Sequence, residues 1–263
     1  MKDEYLLELK ETLRELGLKV DEVAGTLNIT QGTGILASKT NLDPLPFLES
    51  LPEERASRRR EFLGYSRGVK HVLLEPKRSD ASTWSFVESA GSILPSLELG
   101  SFAKGAEAAA GTAPFTLPFR DGVILAYLMR LSRGVRVLTA QQVQDWGVAK
   151  DRITAGARSL LFHRTRELHF RPFEGSKKVS TLKAGDGHDA ARYLVVADAF
   201  YSEVDSRFHF AIPSSEVFLC VFQNDKDSLE ELRRAALSVY ETTDSPLSLG
   251  IYSFDGSTPV PVR

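Results

Sequence analysis

In the second half of the chain, β-forming runs come in pairs joined by short turn-forming stretches, and each pair is followed by a single amphipathic run of helical period. The order predicts strands near 121–130 and 134–139, a helix near 150–161, and strands near 166–172 and 178–184. A helix near 188–202 follows, then strands near 207–212 and 216–222, a helix near 227–242, and strands near 247–252 and 259–262. Strands joined by tight turns pair antiparallel, whereas a parallel sheet needs a helical crossover between every two strands. The pattern therefore predicts an α+β fold, a largely antiparallel sheet of β-β-α units with helices packed on one face.

The first 90 residues read as a smaller N-terminal α/β region. Leu6, Leu9, Leu13 and Leu16 recur at helical spacing and Gly17 follows, which predicts a helix over 3–16. Residues 20–41 alternate apolar and polar types and predict two or three short strands, with Gly32-Thr33-Gly34 as a hairpin turn. Ser50, Pro52 and Glu53 have the shape of a capping box and predict a helix through about Phe62, with 69–74 leaning towards helix. Between 91 and 114 the composition shifts to Gly, Ala and Ser, densest in 105–111, which predicts a linker or mobile loop. The expected division is thus 1–90, 91–114 and 115–263.

Composition excludes some functions. With 33 basic against 35 acidic residues the formal net charge is -2, so no global field draws in nucleic acid or an anionic membrane. No apolar run approaches the roughly 20 residues that span a bilayer. The first residues do not read as a secretion signal, and the single cysteine, Cys220, lies in the apolar run 217–222, which together predict a cytoplasmic protein. No cofactor is expected. The chain has no Walker loop and no Gly-x-Ser-x-Gly elbow, and a thiol in mid-strand is a poor nucleophile.

Three constellations are candidates for binding. In 185–192 two glycines precede a predicted helix start, and Asp186, His188, Asp189 and Arg192 can converge on an anionic small molecule or phosphate ester. The same residues fit a structural role, with Asp186 as N-cap, Asp189 matched to the helix dipole and Arg192 closing an intrahelical ion pair. That role ranks ahead. Arg55, Arg58, Arg59 and Arg60 form the one concentrated basic stretch and suit phosphate or nucleic acid, but interspersed glutamates and the lack of aromatics favour a solvated helix face. His163, Glu167 and His169 hold ligand types for zinc but lack a third and fourth ligand at workable spacing, so no metal site is expected.

Several stretches occur in an order shared with a known family: Ile93-Leu94-Pro95, Trp146-Gly147, Ser159-Leu160, the run from Asp186 to Arg192, and Ala211-Ile212-Pro213. From about residue 93 onward the chain resembles the uncharacterised bacterial family that includes YtpQ. The family pattern has a tyrosine at the place of His188 and an aspartate at the place of Glu216, and 104–113 is longer here. The resemblance implies no reaction, and it lends no support to chemistry that needs the His188 imidazole. The expected function is a non-catalytic protein-interaction or adaptor module, with an anion-binding enzyme or sensor second and nucleic-acid binding third.

Overall fold

A computed structural model describes residues 2–31, 38–73, 85–131, 134–200, 208–254 and 259–262. The predicted turn at Gly32-Thr33-Gly34 lies outside them. The fold is α+β with antiparallel sheets, and the chain divides into two compact units. One unit takes residues up to Ile93 with Glu98–Leu117 and Ala126–Lys150; the other takes Leu94–Leu97, Pro118–Leu125 and Asp151–Arg263. The chain passes between them repeatedly, so no single boundary sits at 91–114.

The first unit opens with α1 (Lys2–Glu15), then β1 (Lys19–Val23), β2 (Thr26–Gln31) and β3 (Ser38–Leu42), paired as an antiparallel meander. Ala24 and Gly25, both at positive φ, make the two-residue turn between β1 and β2. Alternation turns Val20, Leu27, Ile29 and Leu42 inward, against Leu9 and Leu13 of α1. The helix α2 (Leu45–Leu48) brings in Phe47, which stacks on Tyr65 of α3 (Arg55–Leu73) with ring centroids 4.0 Å apart. Each such fully buried side chain contributes about 1.5–3 kcal/mol relative to exposure.

The helix start expected at Ser50 is displaced. The Ser50 hydroxyl donates to the carbonyl of Phe47 at 2.8 Å and so closes α2, while α3 grows from Glu54, whose carbonyl accepts from the Arg58 N–H at 2.9 Å. The capping box is instead at α4 (Phe86–Ser89), where the Ser85 N–H donates to Glu88 at 2.7 Å and the Glu88 N–H returns to the Ser85 hydroxyl. The helical reading of 69–73 holds, since α3 runs through Leu73.

The predicted linker is neither loop nor linker. β4 (Ile93–Leu99) is buried along its whole length, including Glu98, whose carboxylate pairs with Arg67 at 3.4 Å. α5 (Gly100–Ala110) follows and packs along α3. Its small residues serve close approach between helices, not flexibility. β4 joins β5 (Thr116–Pro118), β6 (Val123–Leu131) and β7 (Gly134–Val137) in a four-stranded sheet, and α6 (Ala140–Asp145), unforeseen from the sequence, follows.

The second unit holds α7 (Lys150–Thr165), β8 (Arg171–Pro172), β9 (Ser180–Leu182), a 3-10 segment (Ala190–Leu194), α8 (Val196–Ala199), β10 (Phe208–Ser214), β11 (Val217–Val221), α9 (Lys226–Thr242), β12 (Ile251–Phe254) and β13 (Val260–Pro261). Its antiparallel sheet has the order β13-β12-β10-β11-β9-β8. Both edge strands are two residues long and contain a proline, which blunts them as templates for pairing with another chain. On one face Leu232, Ala235 and Ala236 of α9 pack on Ala211, Leu219, Val221 and Ile251. The opposite face carries the aromatic layer Phe208, Phe210, Phe218, Tyr252 and Phe254, with Tyr193 of the 3-10 segment stacked on Phe210. The helix expected over 188–202 is therefore two short segments, one of them 3-10, within the described residues.

α9 starts at Asp225, whose carboxylate accepts from the Ser228 hydroxyl and N–H at 2.5 and 2.9 Å and from Lys178 at 3.2 Å. Those bonds, the serine hydroxyl first, hold its pKa down at about 2, against an ordinary 3.8. A depressed folded-state value makes the stabilisation complete above the ordinary carboxylate range and removes it as pH falls through about 2. Asp225→Asn is expected to lower the melting temperature at neutral pH and to differ little from the parent near that lower value. Equal deficits at both pH values in differential scanning fluorimetry would contradict this account.

Candidate functional site

Gly185 and Gly187, at φ of +66° and +78°, fold residues 183–189 into a tight loop that a side-chain-bearing residue would strain. Asp189 clamps that loop, accepting from the backbone N–H groups of Ala184 and Gly185 at 3.0 and 3.1 Å. Arg192 then reaches back. Its guanidinium donates through Nη1 and Nη2 to the two oxygens of Asp186, both at 3.0 Å, and through Nη1 to Asp189 at 2.7 Å. The Asp189–Arg192 pair foreseen from the sequence is present, but Asp186 is not a helix cap. Its carboxylate closes a local turn by accepting from the His188 N–H at 3.1 Å and takes the bidentate bond from Arg192.

Burial raises the Asp186 carboxyl, and the hydrogen bonds and charge of Arg192, helped by His188, outweigh it and leave the group below its ordinary range. The Asp186 carboxylate is therefore the charged partner of Arg192 at neutral pH. The Arg192 side chain has no exposed surface and the Asp189 side chain has 1%. Positive charge at the cluster is spent on two carboxylates of its own loop, and no part of the guanidinium faces solvent where an anion would arrive.

His188 is also turned inward. Because the Pro95 carbonyl can only accept, the Nδ1 of His188 carries the proton and donates to it at 2.9 Å. Leu94, Leu160, Ala191 and Val195 meet in one apolar cluster beside it. Parts of three stretches that carry the family resemblance, Leu94 and Pro95, Leu160, and His188 with Ala191, are thus neighbours in one unit.

The basic stretch does not present a common face. Arg58 is buried, with its guanidinium 4.3 Å over the Tyr5 ring and bonded to Glu8 at 3.2 Å and to the Glu53 carbonyl at 2.8 Å. Arg59 pairs with Glu15 at the surface, Arg60 is half-buried, and Arg55 is exposed. His163, Glu167 and His169 are all exposed, and the described residues hold no group of three or more His, Cys, Asp or Glu placed to bind a metal. Cys220 is fully buried, and burial pushes its thiol well up, away from thiolate chemistry.

A groove that the sequence did not signal lies in the second unit, between the turn joining β8 to β9 and the outer stripe of α9. It encloses about 340 Å³, within the range of ligand pockets. Its apolar floor is Phe173 and Ala235, the rim of the core under α9. Glu231, Arg234 and Ser238 line one side at helical spacing, and Glu174, Ser176 and Lys177 line the other. The Ser176 hydroxyl donates to Glu231 across the groove in a short hydrogen bond, and that bond leads the effects that hold the Glu231 carboxyl below its ordinary range. Glu231 is thus already engaged. Among the described residues, neither Lys177 nor Arg234 has a hydrogen-bonded or ion-paired acceptor.

No protein-family model, no curated protein and no solved structure matches this chain.

Proposed function

We propose that this chain is a non-catalytic protein-interaction module that engages its partner through the groove between the 173–177 turn and α9, and that it belongs with the YtpQ-like family it resembles. The observation that carries the reading is a contrast in how charge is spent. Arg58 and Arg192 are buried and bonded to carboxylates of their own unit, whereas Lys177 and Arg234 are exposed at the walls of a groove with an apolar floor, where Arg234 acts on Glu231 only through space. Interfaces are built on that combination of an apolar centre with charges that set specificity at its edge. The meeting of Leu94, Pro95, Leu160, His188 and Ala191 supports the family reading, because it gives those stretches a shared role in packing. The one thiol, fully buried, agrees with a cytoplasmic location.

A benzophenone side chain placed at position 238 tests the interaction reading. It is expected to cross-link a discrete protein species in cells. The same group at the exposed position 233, on the side of α9 away from the groove, should not capture that species, and Arg234→Glu should abolish the capture. Arg234 is exposed and acts on Glu231 only through space, so that variant is expected to stay within about 1 kcal/mol of the parent in stability. Capture indifferent to Arg234, or equal from both positions, would overturn the reading.

A further inference from the structure

The geometry points to Asp121-Gly122, at the tip of the turn between β5 and β6, as a site of covalent modification, where the aspartate side chain closes on the glycine nitrogen and converts to isoaspartate, with Tyr252 as the residue that slows the conversion.

Asp121 and Gly122 are at φ of +53° and +74°, and the Val123 N–H donates to the Arg120 carbonyl at 2.8 Å, which makes a two-residue turn. Both residues are exposed. Gly122 has no side chain to shield its nitrogen, and nothing lies within 4 Å of the position a Cβ would take. In the reaction the Gly122 nitrogen bonds to Cγ of Asp121, and the N–H proton and the carboxyl hydroxyl leave together as water. Water then opens the succinimide ring at either carbonyl. Opening at Cγ restores aspartate, whereas opening at the main-chain carbonyl leaves the chain running through the side chain. The sum is an isomerisation, with no change in oxidation state.

Ring closure swings the Gly122 nitrogen towards Cγ and so breaks the turn, which makes the rate follow how often the tip opens. Opening is opposed by the Tyr252 hydroxyl of β12, which donates to the Asp121 carboxylate at 2.7 Å and is itself bonded to Ser248 at 2.8 Å. The Phe119 ring adds to this, with its centroid 5.6 Å from that of Tyr252 and 5.1 Å from that of Tyr193. Asp186-Gly187 is the same dipeptide in the opposite setting. Burial raises its carboxyl, but the two Arg192 bonds at 3.0 Å outweigh that and keep it ionised, and a carboxylate is a poor electrophile. The third such pair, at 255–256, lies outside the described residues.

The test ages the full chain for several weeks in warm, mildly acidic buffer, beside Tyr252→Phe, and scores peptides spanning 121 and 186 for isoaspartate by electron-transfer fragmentation. Isoaspartate at 121 is expected to exceed that at 186 at least about tenfold, the difference that follows from a charge-assisted bond holding Asp186. Tyr252→Phe keeps the ring beside Phe119 and removes the donor, so the rate at 121 should rise about three- to tenfold relative to 186, as for the loss of one ordinary hydrogen bond. Position 186 in the same sample separates a loosened tip from a loosened fold, which would speed both sites together. Equal accumulation at the two sites, no isoaspartate at 121 in either protein, or a ratio that Tyr252→Phe leaves unchanged would each overturn the assignment.

Discussion

Arg192→Ala is expected to destabilise the protein by about 3–5 kcal/mol, the loss that follows when one member of a buried ion pair is removed and its counter-charge stays behind. Two carboxylates would be stranded. Asp189 is buried, and its other bonds, from Ala184 and Gly185, hold it in place. Asp186 has 15% of its side chain exposed and can recover some hydration, which sets the loss nearer the lower end of the range. Asp189→Asn keeps the shape and one acceptor, so it should cost less, about 1–3 kcal/mol for the mismatched bond. Equilibrium unfolding in urea checks both, with an unchanged slope to show that the transition remains the same. An anion site predicts the reverse, a nearly unchanged midpoint for Arg192→Ala, because exposed binding residues contribute little to stability. A loss below about 1 kcal/mol would show that the cluster does not hold the 183–192 loop.

How far the sequence could foretell this cluster depends on which contacts are local. α1 and α9 were legible because their apolar stripes report burial at 3.6-residue spacing, and β10 and β11 because a run such as Val217–Val221 has no polar residue to spare for solvent. The Asp189–Arg192 pair was legible for the same reason, three residues apart on one turn. Asp186 was misread because its partner is set by the backbone path through Gly185 and Gly187, which bends the carboxylate back onto Arg192 instead of leaving it at a helix start. The partner of His188 lies 93 residues away, at Pro95. Local pattern could not reach it. The groove was invisible for the same reason, since Ser176 and Glu231 are 55 residues apart and neither belongs to a recognisable motif. The sequence shows only that Glu231, Arg234, Ala235 and Ser238 fall on one helical stripe, which does not distinguish a groove wall from an ordinary solvated face.

Glycine and alanine have two opposite meanings in a stretch such as 91–114, where the sequence predicts a linker or mobile loop and the structure has β4 and α5. If they marked a loop, or only a weak helix, Gly105→Ala would be neutral or would stabilise by up to about 1 kcal/mol through helix propensity. The packing of α3 on α5 argues the other way. A Cβ on Gly105 would lie 2.0 Å from the Tyr65 carbonyl oxygen, and one on Gly68 would lie 2.1 Å from the Phe102 carbonyl oxygen. Both obstacles are backbone atoms, so no side chain can swing aside and the two helices must separate. Separation would loosen the burial of Phe102 and Tyr65, two of the largest fully buried side chains in the protein. Overpacking a core costs about 1–3 kcal/mol, and an obstruction by rigid backbone belongs at the upper end. Gly105→Ala is therefore expected to lose about 2 kcal/mol net, after the propensity gain is counted, and Gly68→Ala a similar amount. Gly156, in the middle of α7, supplies the internal comparison: nothing lies within 4 Å of the Cβ position there. Gly156→Ala should raise the melting temperature, while Gly105→Ala lowers it. If both variants stabilise, the helix–helix contact is not the tight one that glycine permits, and the small residues of α5 need another explanation.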